Sequence, residues 1–273
     1  MTVTVEPRHQ DAIGLHLRVG SCDELLSADA LHRLTASLAE HIVIRITADE
    51  PIDAALVSAI ARELGDPPSY AAAGAPSVAG HEIIGDSSAV AMPDDGRPHV
   101  PAPTESLHQD FGAIYSGLAS HAILHTRDVA PALPMRWVSL SATYASLPVD
   151  VRSRIDPLRA IHSLGADRMD GARRPLVLRH PGTGLPVLHL PLRRDAAIEG
   201  MDDEEAAVLM STLWATVETS PACYEHVLES GDLVIWDNIA SVHDNPALPR
   251  DKDRVIWFLT IPSKTKVTGY HQH

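Results

Sequence analysis

Beyond Ser106 the sequence is a succession of short β-prone runs separated by turn residues, and this rhythm limits the fold more than any other feature. ASHAILHTRDV, MRWVSLSA, RPLVLRHP, LPVLHLPL, GDLVIWDN and DRVIWFLTIP follow one another, broken by Pro, Gly, Asp and Asn. Short runs rich in Val, Ile, Leu and aromatic residues and bounded by turn formers read as strands. One helical pattern interrupts them. MDDEEAAVLMSTLWATVETS carries acids in its first turn, with Ala207, Leu209, Met210, Leu213 and Val217 at helical spacing. Many short strands with an inserted helix favour a sandwich or barrel over a doubly wound sheet, in which strand and helix alternate.

The N-terminal part is mixed. In LLSADALHRLTASLAEH, Leu26, Ala30, Leu34 and Leu38 form one helical stripe with Leu31 beside it, and Ser27 is placed to cap the start. HIVIRI (41–46) reads as a strand with Ile42, Ile44 and Ile46 on one side. PIDAALVSAIARELGDPP reads as a second helix, with Pro51 in its first turn and Gly65, Pro67 and Pro68 ending it. From Ser69 to Ser106 the chain is rich in Ala, Gly, Pro and Ser, with one candidate strand, HEIIGDSS. A segment of this kind inside a compact chain is an active-site lid or a surface loop. No internal repeat or linker stands out, so 1–273 reads as a single domain, with 69–106 as the lid and 166–220 as a helix-bearing insertion.

Charge narrows the partners. With 22 Lys+Arg against 36 Asp+Glu the net charge is −14. That argues against nucleic acid, whose binding rests on Lys and Arg neutralising phosphates. No apolar run of about 18 residues suggests a membrane span, and MTVTVEPRHQ lacks the basic-then-apolar order of a secretion signal. Cys22 and Cys223 make neither a disulfide framework nor a thiolate metal site. The expectation is a cytoplasmic protein acting on a small molecule, with a homo-oligomer compatible with the sequence.

The sharpest chemical feature is Leu107-His108-Gln109-Asp110. In an extended chain, residues two apart point to one side, so His108 and Asp110 present an imidazole and a carboxylate together. A third ligand completes a facial site on iron(II) with the opposite face open. His243 is the candidate, placed after the buried run GDLVIWDN and a polar turn. His-x-Asp alone is weak, because sixteen histidines generate such pairs by chance; the downstream block strengthens it.

Three blocks then resemble the taurine dioxygenase/2,4-D dioxygenase family of Fe(II)- and 2-oxoglutarate-dependent oxygenases: LHQDFGAIYSGLASHAILHTRDVAP, SATYASLP, and YEHVLESGDLVIWDNIASVHDNPALPRDKDRVIWFLTIP. Weaker agreement extends to RHPGTGLPVLHL and to HIVIRITADEPIDAALVSAIARELGDP. The resemblance implies a mixed α+β chain built on a double-stranded β-helix (a jelly roll, cupin-like), with N-terminal helices and a helical insertion. It implies iron held by His108, Asp110 and His243, with 2-oxoglutarate and O2 as cosubstrates. Arg254 matches the arginine that grips the distal carboxylate of 2-oxoglutarate, a task suited to a guanidinium fork.

Two departures matter. Where the family has Gly-Gly-Asp-Thr, this chain reads Leu133-Pro134-Met135-Arg136, and the cosubstrate-binding threonine falls on Met135, which cannot donate a hydrogen bond. Arg254 then carries more of the cosubstrate, or Arg136, Ser139 or Thr126 lends a donor. The second arginine of the taurine-type enzymes is Phe258 here, which disfavours a sulfonate substrate. Asp110 also disfavours a halogenase, in which a small residue replaces the carboxylate. The implied reaction is oxygenation of a small-molecule C–H bond, hydroxylation above all, with desaturation, cyclisation or epimerisation open. The rival from another class is a catalytically idle jelly-roll subunit that binds a small ligand or supports a partner. Among other residues, His121 and His125 read as strand histidines, His180 as support for the Pro-Gly-Thr-Gly turn, Trp236 as core and Asp237-Asn238 as turn builders. Arg173 and Arg174 read as solvated charges.

Overall fold

The computed structural model describes residues 13–65, 77–78, 81–82, 107–110, 119–129, 133–162, 172–193, 197–244, 255–262 and 269. The chain opens with strand β1 (Leu15–Val19), a 3-10 turn (Cys22–Leu25), helix α1 (Ala28–His41), strand β2 (Val43–Ala48) and helix α2 (Ala54–Leu64). α1 starts where the Ser27 hydroxyl accepts the Ala30 N–H, as the sequence indicates. It buries Ala30, Leu31, Leu34 and Leu38; Leu26 lies before the cap and is exposed. α2 begins later than expected. The Asp53 carboxylate accepts the Leu56 N–H and sets the start, leaving Pro51 outside the helix.

Ile42 belongs to the end of α1 rather than to the following strand. Its φ is 65°, the one positive value on a non-glycine among the described residues. A β-branched residue is strained there. It is held by its N–H bond to the Leu38 carbonyl, by its own carbonyl accepting the Asp237 N–H, and by burial of its side chain.

Two short pieces, β3 (Ser77–Val78) and β4 (His81–Glu82), pair antiparallel; the rest of the anticipated lid lies outside the described residues. Then come β5 (Leu107–His108), β6 (Ala119–Asp128) and β7 (Leu133–Ser139), followed by helices α3 (Leu140–Ser146) and α4 (Val149–Ile155). The run MRWVSLSA therefore splits, because the Ser139 hydroxyl caps α3 through the Ala142 N–H. Next come β8 (Arg159–His162), β9 (Ala172–Pro175), β10 (Val177–Arg179), β11 (Pro186–Leu188), β12 (Ala197–Ile198) and helix α5 (Asp203–Glu218). α5 buries Ala206, Leu209, Met210, Leu213, Trp214 and Val217; Ala207, assigned to that face from the sequence, is exposed. The chain closes with β13 (Cys223–Leu228), β14 (Leu233–Asp237), β15 (Ser241–Asp244) and β16 (Val255–Pro262).

These strands form a five-stranded sheet, β1-β2-β14-β6-β16, and a four-stranded sheet, β13-β7-β15-β5. Only β1 and β2 run parallel in them, joined through α1. Alternation along each strand sorts the side chains into layers. Val43, Ala122, Leu124, Val234 and Trp236 from the first sheet meet Met135, Trp137 and Tyr224 from the second, making a shared inner layer. The other face of the first sheet (Ile44, Ile46, Ile123, Ile235) packs on α1 and α2. The other face of the second (Leu107, Val138, Val242) packs on α3, α5 and residues of β8, β10, β11 and β12. The architecture is mixed α/β with several sheets, and its two main sheets are each covered on the outside. Among the described residues no helix is long and apolar enough to cross a membrane.

Candidate metal centre

Pairing of β5 with β15 sets His108 opposite His243 on the inner side of the four-stranded sheet, while Leu107 and Val242 face the outer layer. On its other side β15 pairs with β7, which places Trp137 beside His243. Asp110 lies two residues beyond His108, past the end of β5. One ligand atom each from His108, Asp110 and His243 lie within 4.8 Å of one another, and all three residues are buried; among the described residues no other such group forms. The two imidazole centroids are 4.5 Å apart, and His243 Nε2 is 3.8 Å from Asp110 Oδ2. The Trp236 ring packs 4.9 Å from that of His243.

The electrostatics follow from burial. Desolvation lowers His108 to about 4 and holds His243 well below the usual imidazole range, so both rings stay neutral with a lone pair available. The same desolvation raises Asp110 to about 7. Asp110 Oδ2 has no hydrogen-bond partner among the described residues. A buried carboxylate without a partner is costly, and a divalent cation supplies the missing charge. Two neutral imidazoles and one carboxylate on a single side suit iron(II), with the remaining positions open. The residues fit the metal.

The turn before His243 is built as the sequence suggests. The Asp237 carboxylate accepts the N–H groups of Ile239 and Ala240, and the Ser241 hydroxyl donates to the Asp237 carbonyl. His180 adds a contact the sequence did not reveal. Its Nδ1 accepts the N–H groups of Gly182 and Thr183, so its proton sits on Nε2, which donates to Asp237 Oδ2 at 2.8 Å. Burial opposes ionisation of Asp237, but the His180 hydrogen bond, the nearby imidazoles of His121 and His180 and the Ala240 N–H outweigh it and hold the carboxyl below its ordinary value.

The remaining candidates separate. Met135 is buried in the inner layer beside Trp137, and its thioether offers no donor. Arg136, next along β7, faces the other way: its guanidinium meets Glu225 and the Ser220 carbonyl, and its N–H donates to Asp244. The structure does not bring Arg136 to the three ligands. Of the suggested substitutes, the Thr126 hydroxyl donates to the Glu229 carbonyl, while the Ser139 hydroxyl accepts the Ala142 N–H as the α3 cap and lies 3.2 Å from that of Ser141. Arg254 lies outside the described residues. Phe258 packs against the inner layer, 6.0 Å from Trp236. His121 and His125 share the helix-facing side of β6 with Ile123; His125 donates to the Asp232 carbonyl. His189 stacks on His162 with centroids 4.2 Å apart. Arg173 pairs at the surface with Glu199, while Arg174 is half-buried rather than solvated.

Comparison with known proteins adds a family. The description "Taurine catabolism dioxygenase TauD, TfdA family" matches residues 6–260. The chain is 26% identical to the (S)-phenoxypropionate/alpha-ketoglutarate-dioxygenase of Delftia acidovorans over 225 residues, 69% of this chain and 76% of that protein. It is 26% identical to pentalenolactone F synthase of Streptomyces arenae over 145 residues, 44% of this chain and 48% of that protein. A taurine dioxygenase from Burkholderia xenovorans superposes with a TM-score of 0.75 at 22% identity, covering 96% of this chain and 91% of that one. AAD-2 in complex with Mn(II) and N-oxalylglycine superposes with a TM-score of 0.77 at 18% identity, covering 97% and 99%. At these identities the structural likeness speaks for the fold.

Proposed function

The chain belongs to the taurine catabolism dioxygenase TauD, TfdA family and is an Fe(II)/2-oxoglutarate-dependent dioxygenase; from that premise we propose that His108, Asp110 and His243 hold its iron. The observation that carries the assignment is the buried group of two imidazoles and a carboxylate with ligand atoms within 4.8 Å of one another. When bound, iron(II) supplies the redox chemistry that couples decarboxylation of 2-oxoglutarate to oxygenation of the substrate.

The chain's own residues do the rest. His108 and His243, neutral because they are buried, offer lone pairs at physiological pH without a competing proton. Asp110 balances part of the metal charge. The three would hold the metal between them, leaving room at it for the cosubstrate. Tyr224 stacks on Trp137, Trp137 meets Trp236 edge-on, and Trp236 packs against His243, an aromatic wall that limits the access of water to the ligands. Arg254 would hold the distal carboxylate of 2-oxoglutarate, a task suited to a guanidinium fork. With Met135 in the threonine's place, the task falls to Arg254.

On this reading the two sheets and their shared inner layer form a double-stranded β-helix within one domain over 1–273. Residues 69–106 act as a lid and 166–220 as a helix-bearing insertion that covers the second sheet. The substrate is a small organic molecule and the reaction hydroxylation of a C–H bond. The support is chemical and by kinship: the Delftia relative is named for a small phenoxypropionate, and Phe258 removes a cation from the position at which taurine-type enzymes hold a sulfonate. The test is succinate release from 2-oxoglutarate with iron(II), O2 and a panel of small organic acids that includes aryloxy acids. Replacement of His108 by Ala is expected to abolish both turnover and metal-dependent binding of 2-oxoglutarate. An iron-loaded protein that binds no 2-oxoglutarate would overturn the assignment.

A further inference from the structure

His108 and His243 are fixed by the ladder between β5 and β15, but Asp110 is not, because β5 ends at His108. A carboxylate beyond the end of a two-residue strand needs another anchor if it is to stay within 4.8 Å of both imidazoles. The anchor is Asn238, fully buried in the turn that leads into β15. Its Oδ1 accepts the Asp110 N–H at 2.9 Å, and its Nδ2 donates to the Asp110 carbonyl at 3.2 Å. The orientation of the amide is set by chemistry, since only the oxygen can accept an N–H and only the nitrogen can serve carbonyls.

A side-chain amide that satisfies both backbone groups of one residue does what a neighbouring strand would do. Asn238 goes further. Nδ2 also donates to the Ala119 carbonyl at 3.0 Å, and the Asn238 N–H donates to the Ser120 carbonyl at 2.9 Å. The Gln109 amide donates back to the carbonyls of Asn238 and Ile239. One residue thus ties the Asp110 segment, the start of β6 and the turn before His243 into a single body.

We propose that Asn238 is a positioning residue for the metal: by clamping both main-chain groups of Asp110, it fixes the carboxylate relative to His243 before any metal arrives. The proposal rests on the reading of His108, Asp110 and His243 as ligands. It makes the site preorganised, so that metal binding does not spend free energy on ordering the Asp110 segment. Partners of this kind behind a ligand typically contribute roughly 10- to 100-fold in metal affinity.

Two measurements test it. The first is titration of the apoprotein with Co(II), followed by calorimetry and by the visible absorption of the ion, which reports ligand geometry. Asn238→Asp keeps the acceptor and loses both donor bonds, and Asn238→Ala loses everything. Both are expected to raise the Kd by roughly 10- to 100-fold and to alter the spectrum. Ser241→Ala is the control: it removes a hydrogen bond from the same turn without touching Asp110, and it is expected to lower the thermal midpoint while leaving the Kd unchanged. An Asn238 variant that folds and binds Co(II) with the wild-type Kd and spectrum overturns the proposal.

The second measurement needs no variant. Hydrogen exchange in the metal-free wild-type protein is expected to show the Asp110 amide protected, and exchange at the rate of an open loop overturns the clamp even if both variants fail to fold. Failure of the ligand reading looks different. In that case the wild-type protein binds no Co(II), or His108→Ala binds it as tightly, whatever the Asp110 amide does.

Discussion

Asp110 is buried where no hydrogen bond reaches its Oδ2 among the described residues, and desolvation raises its carboxyl to about 7. Metal binding requires the carboxylate, so below that pH the ion must displace a proton. The imidazoles of His108 and His243 are held low and remain neutral across the same range, so they contribute no slope. Affinity for Co(II) or Mn(II) is therefore expected to fall by up to about tenfold per pH unit as the pH drops below 7 and to level off above it. Titrations between pH 6 and 8 check this, and a flat profile would count against Asp110 as a ligand. Arg254 provides a second test: Arg254→Lys keeps the charge but loses the fork. The KM for 2-oxoglutarate is expected to rise roughly 10- to 100-fold with kcat less affected, as loss of one charge-assisted hydrogen bond implies. At this scale the two histidines and the aspartate were legible, because a His-x-Asp pair and a histidine after a buried run form a local pattern. Asn238 and His180 were not. Their partners Asp110 and Asp237 are far away in sequence, and periodicity carries no record of such pairings.

Helix boundaries follow from side-chain caps more than from the apolar stripe. Asp53 and Asp202 start α2 and α5 by accepting the N–H groups of Leu56 and Glu205. Replacement of Asp53 by Ala is expected to cost about 1 kcal/mol, read by urea unfolding. Asp202→Ala is expected to cost a similar amount at the start of α5. Strand faces were readable from alternation: Ile44 and Ile46 point to one layer while Val43 points to the other. The displaced start of β2 has a different cause. Ile42 carries strand-like chemistry, yet its carbonyl is taken by Asp237 and its backbone turns the chain out of α1. On α5, Ala206 and Ala207 are chemically identical, and only the side on which the helix meets the outer layer of the second sheet decides which is buried.

For the molecule as a whole, the sequence indicated many strands, helices at the front and one helix in an insertion, but not how they stack. The order β1-β2-β14-β6-β16 places Val43 beside Trp236, a contact between distant parts of the chain that no local pattern announces. The fold also buries two histidines, His162 and His189, outside the group of three ligands. Desolvation lowers His162 to about 3 and keeps His189 well below the imidazole range. In the unfolded chain both take up protons near 6.5, whereas in the folded protein they stay neutral to much lower pH. The unfolded state thus binds more protons, and stability, fully present above 6.5, is lost as the pH falls below it. The pair is expected to remove about 3 kcal/mol per pH unit of acidification below 6.5. Urea unfolding of wild type and of His162→Phe between pH 7 and 5 checks this; the variant should show the shallower slope.

The packing of Trp236 at 4.9 Å from His243 has an optical consequence. Open-shell ions quench a neighbouring indole, while closed-shell zinc does not. Loading with Co(II) is expected to dim the emission of Trp236 and its neighbour Trp137, and Zn(II) to leave it bright. Trp214 lies on the buried face of α5, in the separate outer layer, and serves as an internal standard. The protein thereby carries its own fluorescent gauge of occupancy, and an equal response to both ions would place the metal elsewhere.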